Sequence, residues 1–312
     1  MLRLVPMLLL ILASIGLISC TVFLGMVMVA VRRYRRVYPS SSAPDHHPLA
    51  SLLKPLCGLE PGLEENLESF FVQDDLSYEL IFAVRDASDP ALTVLREVQR
   101  RHPEVAVQVV LSGPSPWPSA KVWSLEKMMT VARGQYLVIS DSDVRVTPNY
   151  VREVIAPLAG PKIGLITCLY RGVPSGGLWS RLEALGMSVE MTSGVVVADM
   201  MEGMRFALGP TMAVRRDVLE KIGGFATLAD YYADDYVLGS EVFHAGYTVV
   251  ISRHIIDHIV LNHTFRTSLG HQVRWMRSTR FSRPAGHVGS GLTFAMPFGL
   301  LGLLAGLWMG LP

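Results

Sequence analysis

The hydrophobic positions along the chain fall into three regimes. The first is one unbroken block: Leu4 to Val31 carries no charged residue over 28 positions and runs straight into "RRYRR" (Arg32 to Arg36). A block of that length crosses a bilayer with some tilt. It is too long for the apolar core of a cleaved signal peptide and has no clean small-x-small site. It therefore reads as a retained anchor, residues 1–36, whose arginines place the next part of the chain on the cytoplasmic side. The last regime, residues 288–312, is again uncharged and rich in Leu, Gly and Phe. It reads as a C-terminal transmembrane segment, in which Gly and Pro are tolerable because neighbouring groups satisfy the freed backbone. The sequence ends inside or just past it, which leaves open whether there are further helices.

Between these blocks the texture changes. A polar, proline-rich tether, "PSSSAPDHHP", falls in residues 37–50. Residues 51–264 then alternate short apolar runs with helical patterns: "SLLKPL" and "LEENLESFFVQ", "YELIFAV" and "PALTVLREVQRR", "VAVQVVL" and "AKVWSLEKMMTVA", "QYLVISD" and "PNYVREVIAPL", then "IGLITCLY". Runs of four to eight residues rich in Val, Ile and Leu are buried strands, and the stretches between them carry helix-period apolar positions. That alternation predicts an α/β domain with a mostly parallel sheet flanked by helices. In such sheets ligands sit outside the carboxyl ends of the strands.

Composition changes the picture only slightly. Half of the chain is hydrophobic and the mean hydropathy is +0.34, which agrees with membrane segments. The net charge of +1 gives no electrostatic case for nucleic acid. Three distant cysteines (Cys20, Cys57, Cys168) form no Cys-x-x-Cys, so a disulfide framework or zinc site is not expected.

Carboxylates recur at the predicted strand ends. "YLVISDSD" presents Asp141 and Asp143. Side chains two apart on an extended segment point the same way, and such a pair is half a site for Mg2+ or Mn2+, completed by water and substrate phosphates. The plainer reading has one aspartate capping the helix near Pro148 and the other solvated. "VRDASDP" presents Asp86 and Asp89, either helix-capping residues or acceptors for a nucleobase or ribose. "YYADDYVLG" holds Asp234 and Asp235 at a helix start, where the helix dipole favours acids and where a general base would also sit. In "HQVRWMRSTR", Arg274, Arg277 and Arg280 recur every three residues with Trp275 among them. Residues 265–287 thus read as an amphipathic helix at the membrane surface, compatible with arginine contact to a diphosphate. Of the two lysines near strand ends, Lys121 is assigned to a phosphate and Lys54 to solvated surface.

Taken together, Asp, then Asp-x-Asp, then Asp, then x-x-Arg-Trp resembles the processive and lipid-directed inverting glycosyltransferases of the GT-A fold. The match is closer still to the ceramide glucosyltransferases of family 21. "LLKPLCGLEPGLEENLESFF", "VRDASDPAL", "SDSDVRVTPNYV", "GLITCLYRG", "GPTMAVRRDVLEKIGGF" and "YYADDYVLG" resemble that family's blocks in its order, over about Ser51 to Arg280.

The resemblance implies a nucleotide pocket at Asp89 with Asp86 beside it, and a metal station at Asp141 and Asp143. It implies a general base at Asp235, and an Arg274-Trp275 pair close to diphosphate and acceptor. It implies a UDP-sugar donor, a hexose transferred with inversion, a membrane-lipid acceptor and a divalent cation. His271, three positions before Arg274, departs from the Arg or Gln of the eukaryotic ceramide enzymes and leans towards a bacterial subgroup, hence a bacterial inner membrane. The same blocks resemble the hopanoid-pathway glycosyltransferases, with an N-acetylglucosamine donor and another lipid acceptor. An inactive membrane scaffold is a further alternative, against which all three aspartate stations speak. A metal-dependent phosphohydrolase would need metal ligands that no His/Asp cluster supplies. The sequon at Asn262 goes unused on the cytoplasmic side.

Overall fold

The computed structural model describes residues 4–37, 48–74, 77–261 and 264–310. The Asn262 sequon and most of the predicted tether lie outside them. The chain opens with α1 (Leu4–Val37). Strands and helices then alternate: β1 (Ala50–Pro55), α2 (Leu63–Phe71), β2 (Tyr78–Val84), α3 (Ala91–Arg101), β3 (Val107–Leu111), α4 (Ala120–Met129), β4 (Tyr136–Ser140), β5 (Val144–Arg145) and α5 (Tyr150–Ile155). Then come β6 (Ile163–Pro174), α6 (Gly177–Gly186), α7 (Thr192–Glu202), β7 (Thr211–Arg215), α8 (Arg216–Lys221), α9 (Asp234–His244) and β8 (Thr248–Val260). The described chain closes with α10 (Phe265–Ser282), α11 (Pro284–Gly291) and α12 (Ala295–Met309).

These elements form two compact units. One holds the described parts of residues 37–192 and 202–270 and contains one eight-stranded sheet, ordered β3-β2-β1-β4-β7-β6-β8-β5. β3, β2, β1 and β4 are parallel, β7 is antiparallel to both its neighbours, and β6 runs parallel to β8. The central strands β1, β2 and β4 are buried almost throughout, so they read as mostly apolar runs without alternation, interrupted by the buried Ser51, Lys54, Glu79 and Ser140. β3, at the edge, is half-exposed. Gly172 lets α6 lie directly on β6: a Cβ there would come within 2.6 Å of the Ala184 backbone. With β1, β2 and β4 parallel, the loops after Pro55, Val84 and Ser140 open at one end of the sheet.

The other unit holds the described parts of residues 1–36, 193–201 and 271–312. Gly16 of α1 admits the Phe298 ring of α12, since a Cβ there would lie 2.2 Å from the ring. Arg33 at the end of α1 donates to the Asp199 carbonyl at 3.0 Å. α1 is long and apolar enough to cross a membrane. The C-terminal segment takes the form of two helices, α11 and α12, bent by 41° at a short break. At that break the Thr293 amide (3.0 Å) and hydroxyl (2.8 Å) both donate to the Ser290 carbonyl, and Pro297 occupies the first turn of α12, where a missing N–H costs nothing.

A second stretch, Gly177–Glu202, also passes the length and composition test for a span. It spans α6, one π-helical turn (Met187–Met191) and α7. Its charges hide it from a hydropathy reading, but two of them turn inward: Glu183 and Asp199 are buried.

Candidate active site

The Asp141–Asp143 turn leaves the end of β4 with every backbone carbonyl engaged. The Asp141 carbonyl accepts from the Lys54 ammonium at 2.7 Å and the Val144 amide at 3.3 Å. The Ser142 carbonyl accepts from the Asn66 side-chain amide at 3.3 Å, and the Asp143 carbonyl from the Ile259 amide at 2.8 Å. The Ser142 hydroxyl donates to Glu60 at 2.8 Å. A turn held at three successive residues presents its carboxylates in one fixed direction.

Lys54 corrects the expectation of a solvated surface lysine. It is fully buried. On a central strand its side chain leaves through the sheet face, where Phe70 of α2 covers it. Its ammonium sits 3.7 Å over the Phe70 ring and meets the Asp141 carbonyl at the far end. Burial pulls its pKa down to about 7, against the opposing pull of Asp141, Asp143 and Glu60.

Carboxylates from two of the three stretches, Asp141 and the pair Asp234 and Asp235, meet around Lys121, on the first turn of α4. Its ammonium lies 2.6 Å from Asp141 Oδ1 and 3.8 Å from Asp234 Oδ2. Burial works against that charge, but Asp141, Asp234 and Asp235 outweigh it and hold the lysine above its ordinary range. Asp235 comes directly after Asp234 in the first turn of α9. It accepts from the Tyr236 amide at 2.7 Å, and burial together with Asp234 pushes it up to about 6. Gly209 makes the space for it: a Cβ at Gly209 would stand 3.0 Å from Asp235 Oδ2.

Asp143 is pushed up to about 7, first by burial and then by Asp141. Its Oδ1 is buried with no hydrogen-bond partner. Its Oδ2 lies 3.7 Å from Nε2 of His258, a largely covered histidine of β8 whose ring packs 5.5 Å from Tyr170. Burial lowers the His258 pKa, so near neutral pH its imidazole is available as a lone-pair donor. An orphaned buried carboxylate oxygen, a second carboxylate and an imidazole suit Mn2+, or Mg2+ if water takes a larger share of the shell. Among the described residues no three such groups already stand at ligand spacing, so part of the shell falls to water or substrate.

The remaining candidates have other surroundings. Asp86 is exposed and accepts from the Ser88 amide at 2.9 Å and from the Ser88 hydroxyl, which holds its pKa down. Asp89 accepts from the Gly58 amide at 3.0 Å and the Ala91 amide at 2.9 Å, tying the loop after β1 to the start of α3. His271, Arg274, Trp275 and Arg277 lie on α10 in the unit of apolar helices. There the His271 ring packs 4.4 Å from Trp275, and both arginines are exposed. Sequence reasoning missed His258, Glu60 and Gly209. Nothing local marks them, because each reaches the site through pairing or packing between distant elements.

Comparison with known proteins places this geometry. A family model described as glycosyl transferase family 21 matches residues 11–310. Ceramide glucosyltransferase 1 of Caenorhabditis elegans is 24% identical over 224 residues, which is 72% of this chain and 47% of that protein. Ceramide glucosyltransferase 3 of the same organism is 23% identical over 241 residues, 76% of this chain and 51% of that protein. The chain thus spans about half the length of the curated relatives it matches. The mannosyltransferase PcManGT from Pyrobaculum calidifontis, solved with GDP-Man and Mn2+, superposes with a TM-score of 0.65 at 18% identity over 95% of this chain and 87% of that one. The fold is therefore GT-A-like, as the resemblance implies, within the α/β class that the alternation predicts.

Proposed function

The chain belongs to glycosyl transferase family 21, and from that premise we propose that it transfers a hexose, glucose-like, from a UDP-sugar to a hydroxyl of a membrane lipid, with inversion. The observation that carries the reading is the convergence of Asp141, Asp143, Asp234 and Asp235 around Lys121 at the carboxyl end of β4. Four acids gathered near one lysine suit a doubly anionic leaving group that arrives with its own cation.

In this reading Asp143, with Asp141 and His258, holds the divalent cation. When bound, that cation neutralises the diphosphate charge. Lys121 adds a fixed positive charge at the same place. Asp89 fixes the loop after β1 beside the nucleotide, with Asp86 next to it. Asp235 takes the proton of the lipid hydroxyl as that oxygen attacks the anomeric carbon. One C–O bond forms, the bond from the anomeric carbon to the diphosphate breaks, UDP departs with the electron pair, and configuration inverts. The arginines in the last turns of α1 support a catalytic unit on the cytoplasmic side of a bacterial inner membrane, the side that holds UDP-sugars.

The test is a lipid-product assay. Membranes carrying the chain are incubated with labelled UDP-glucose and, in parallel, labelled UDP-N-acetylglucosamine, and lipid products are separated. A labelled β-glycolipid from UDP-glucose is the expected result. Product from UDP-N-acetylglucosamine alone would move the donor assignment to the hopanoid-type enzymes, and no labelled lipid from either would overturn the reading.

A further inference from the structure

One face of α6 has no task in the site. Leu178, Leu182, Leu185 and Val189 recur at spacings of four, three and four, which aligns side chains along one side of a helix. Each is between 50% and 62% exposed. The opposite side carries Ser180, Glu183, Ala184 and Met187, all buried, and rests on β6. The helix is thus fixed by its small and polar side and shows its leucines outward, the reverse of what water selects.

The start of α10 extends this face within the same unit. Phe265 is 54% and Leu269 48% exposed. Between them the Ser268 hydroxyl donates to Glu183 at 2.8 Å, and the Trp179 ring lies 4.9 Å from Phe265. These contacts lock the two helices side by side with six large apolar side chains outward. Arg181 and Arg266 are exposed on the same two helices, and Glu190, also exposed, lies off the line of leucines.

We propose that this two-helix face docks the catalytic unit on the bilayer surface, its apolar side chains in the acyl boundary and Arg181 and Arg266 at headgroup level. The inference rests on the membrane reading above. Two observations select lipid as the occupant. An apolar stripe flanked by arginine is the pattern of a helix lying in the membrane interface. Both helices also run on in sequence into the unit of apolar helices, α6 through the π-helical turn to residues 193–201 and α10 into residues 271–282. A lipid surface is therefore covalently close to both, at high effective concentration.

Single spin labels in the full chain, with the cysteines not under test replaced by serine and the protein reconstituted in lipid nanodiscs, test this. Labels at Leu182→Cys, Leu185→Cys and Leu269→Cys are compared with Ile18→Cys in α1 and with the native, exposed Cys57. Relaxation by oxygen, which concentrates in lipid, is read against relaxation by a water-soluble nickel chelate. The expected result is an oxygen-dominated response at positions 182, 185 and 269, as at 18, and a nickel-dominated one at 57. Nickel dominance at 182 and 185 with oxygen dominance at 18 would overturn the docking face and leave the membrane reading standing. Nickel dominance at 18 as well would overturn both. Dipolar broadening at 182 that disappears on dilution with unlabelled chain would show a second copy on this face and overturn the lipid assignment. In support, Leu182→Asp with Leu185→Asp is expected to raise the KM for bilayer acceptor at least about fivefold with the KM for UDP-sugar unchanged; equal KM values for wild type and variant would count against the proposal.

Discussion

Asp235 is the residue whose assignment can be worked into numbers. Burial and the neighbouring Asp234 push it up to about 6, while the Tyr236 amide and Lys121 pull the other way. A base with that value is about 90% ionised at pH 7 and about 10% ionised at pH 5, so a step that needs the carboxylate slows roughly tenfold over that interval. An ordinary aspartate near 3.9 would lose less than about 10%. The assay is the initial rate of lipid glycoside formation between pH 5 and 8. Because Asp143 is pushed up to about 7 as well, donor and divalent cation are kept saturating at each pH. Asp235→Asn keeps the shape and removes the base; the expected loss in kcat is about 100- to 10,000-fold, or about 3–5 kcal/mol of barrier. UDP affinity in the variant is expected within about twofold of wild type. A wild-type rate at pH 5 within twofold of that at pH 7 would refute the base assignment. So would an Asp235→Asn variant whose UDP affinity falls in step with its rate.

Other perturbations test the supporting residues. Lys54→Met removes a buried ammonium and leaves the neighbouring carboxylates and the Asp141 carbonyl without it, so urea denaturation should show a loss of at least about 1.5 kcal/mol. The Asp141 carbonyl loses a charged donor worth about 1.5–3 kcal/mol, and metal-dependent UDP affinity by calorimetry should fall at least about fivefold; unchanged affinity would remove the positioning role. Asp143→Ala should weaken UDP binding in the presence of Mn2+ and leave it unaltered without metal, and EDTA should stop transfer; activity that persists in EDTA contradicts the metal station. Arg133→Met strips the side-chain partner from Glu79, whose side chain is 1% exposed, and should cost about 2 kcal/mol with no change in rate per folded molecule. Burial raises Glu79, but hydrogen bonds from the Arg133 amide, Ser51 and the Arg133 side chain outweigh it and hold it below its ordinary value. That contribution is present above the unfolded carboxylate range near 4.3 and is lost as pH falls below it, so wild type and variant should converge in acid denaturation.

The parallel half of the sheet was legible because its central strands are covered on both faces and need mostly apolar runs without alternation, which β1, β2 and β4 supply. β8 was not read as a strand: Arg253, His254, Asp257 and His258 interrupt any period along it. What makes it a strand is nonlocal, since β6 pairs with it from Ile163 to Pro174 through two register shifts. The stretch Gly177–Glu202 escaped for the same kind of reason. Its average is diluted by acids that the fold satisfies elsewhere, Glu183 by Ser268 and Asp199 by Arg33.

The site divides along the same line. Asp141, Asp143 and Asp235 could be found because a carboxylate just after a buried strand or at a helix start is informative from its neighbours alone. Lys54 and His258 could not, because their meaning lies in what they cost. A buried lysine and a largely covered histidine are tolerable only where acids stand beside them, and those acids arrive across strand pairings: β1 beside β4 for Lys54, and Val144 opposite His258 between β5 and β8. Each acid in turn is tolerable only because of these partners, and Asp143 is left with one oxygen that none of them satisfies. That residual deficit is what the proposed metal station would meet. The fold concentrates more negative charge at the end of β4 than its own cations neutralise, and a diphosphate arriving with a divalent cation is a ligand that meets the deficit without adding to it.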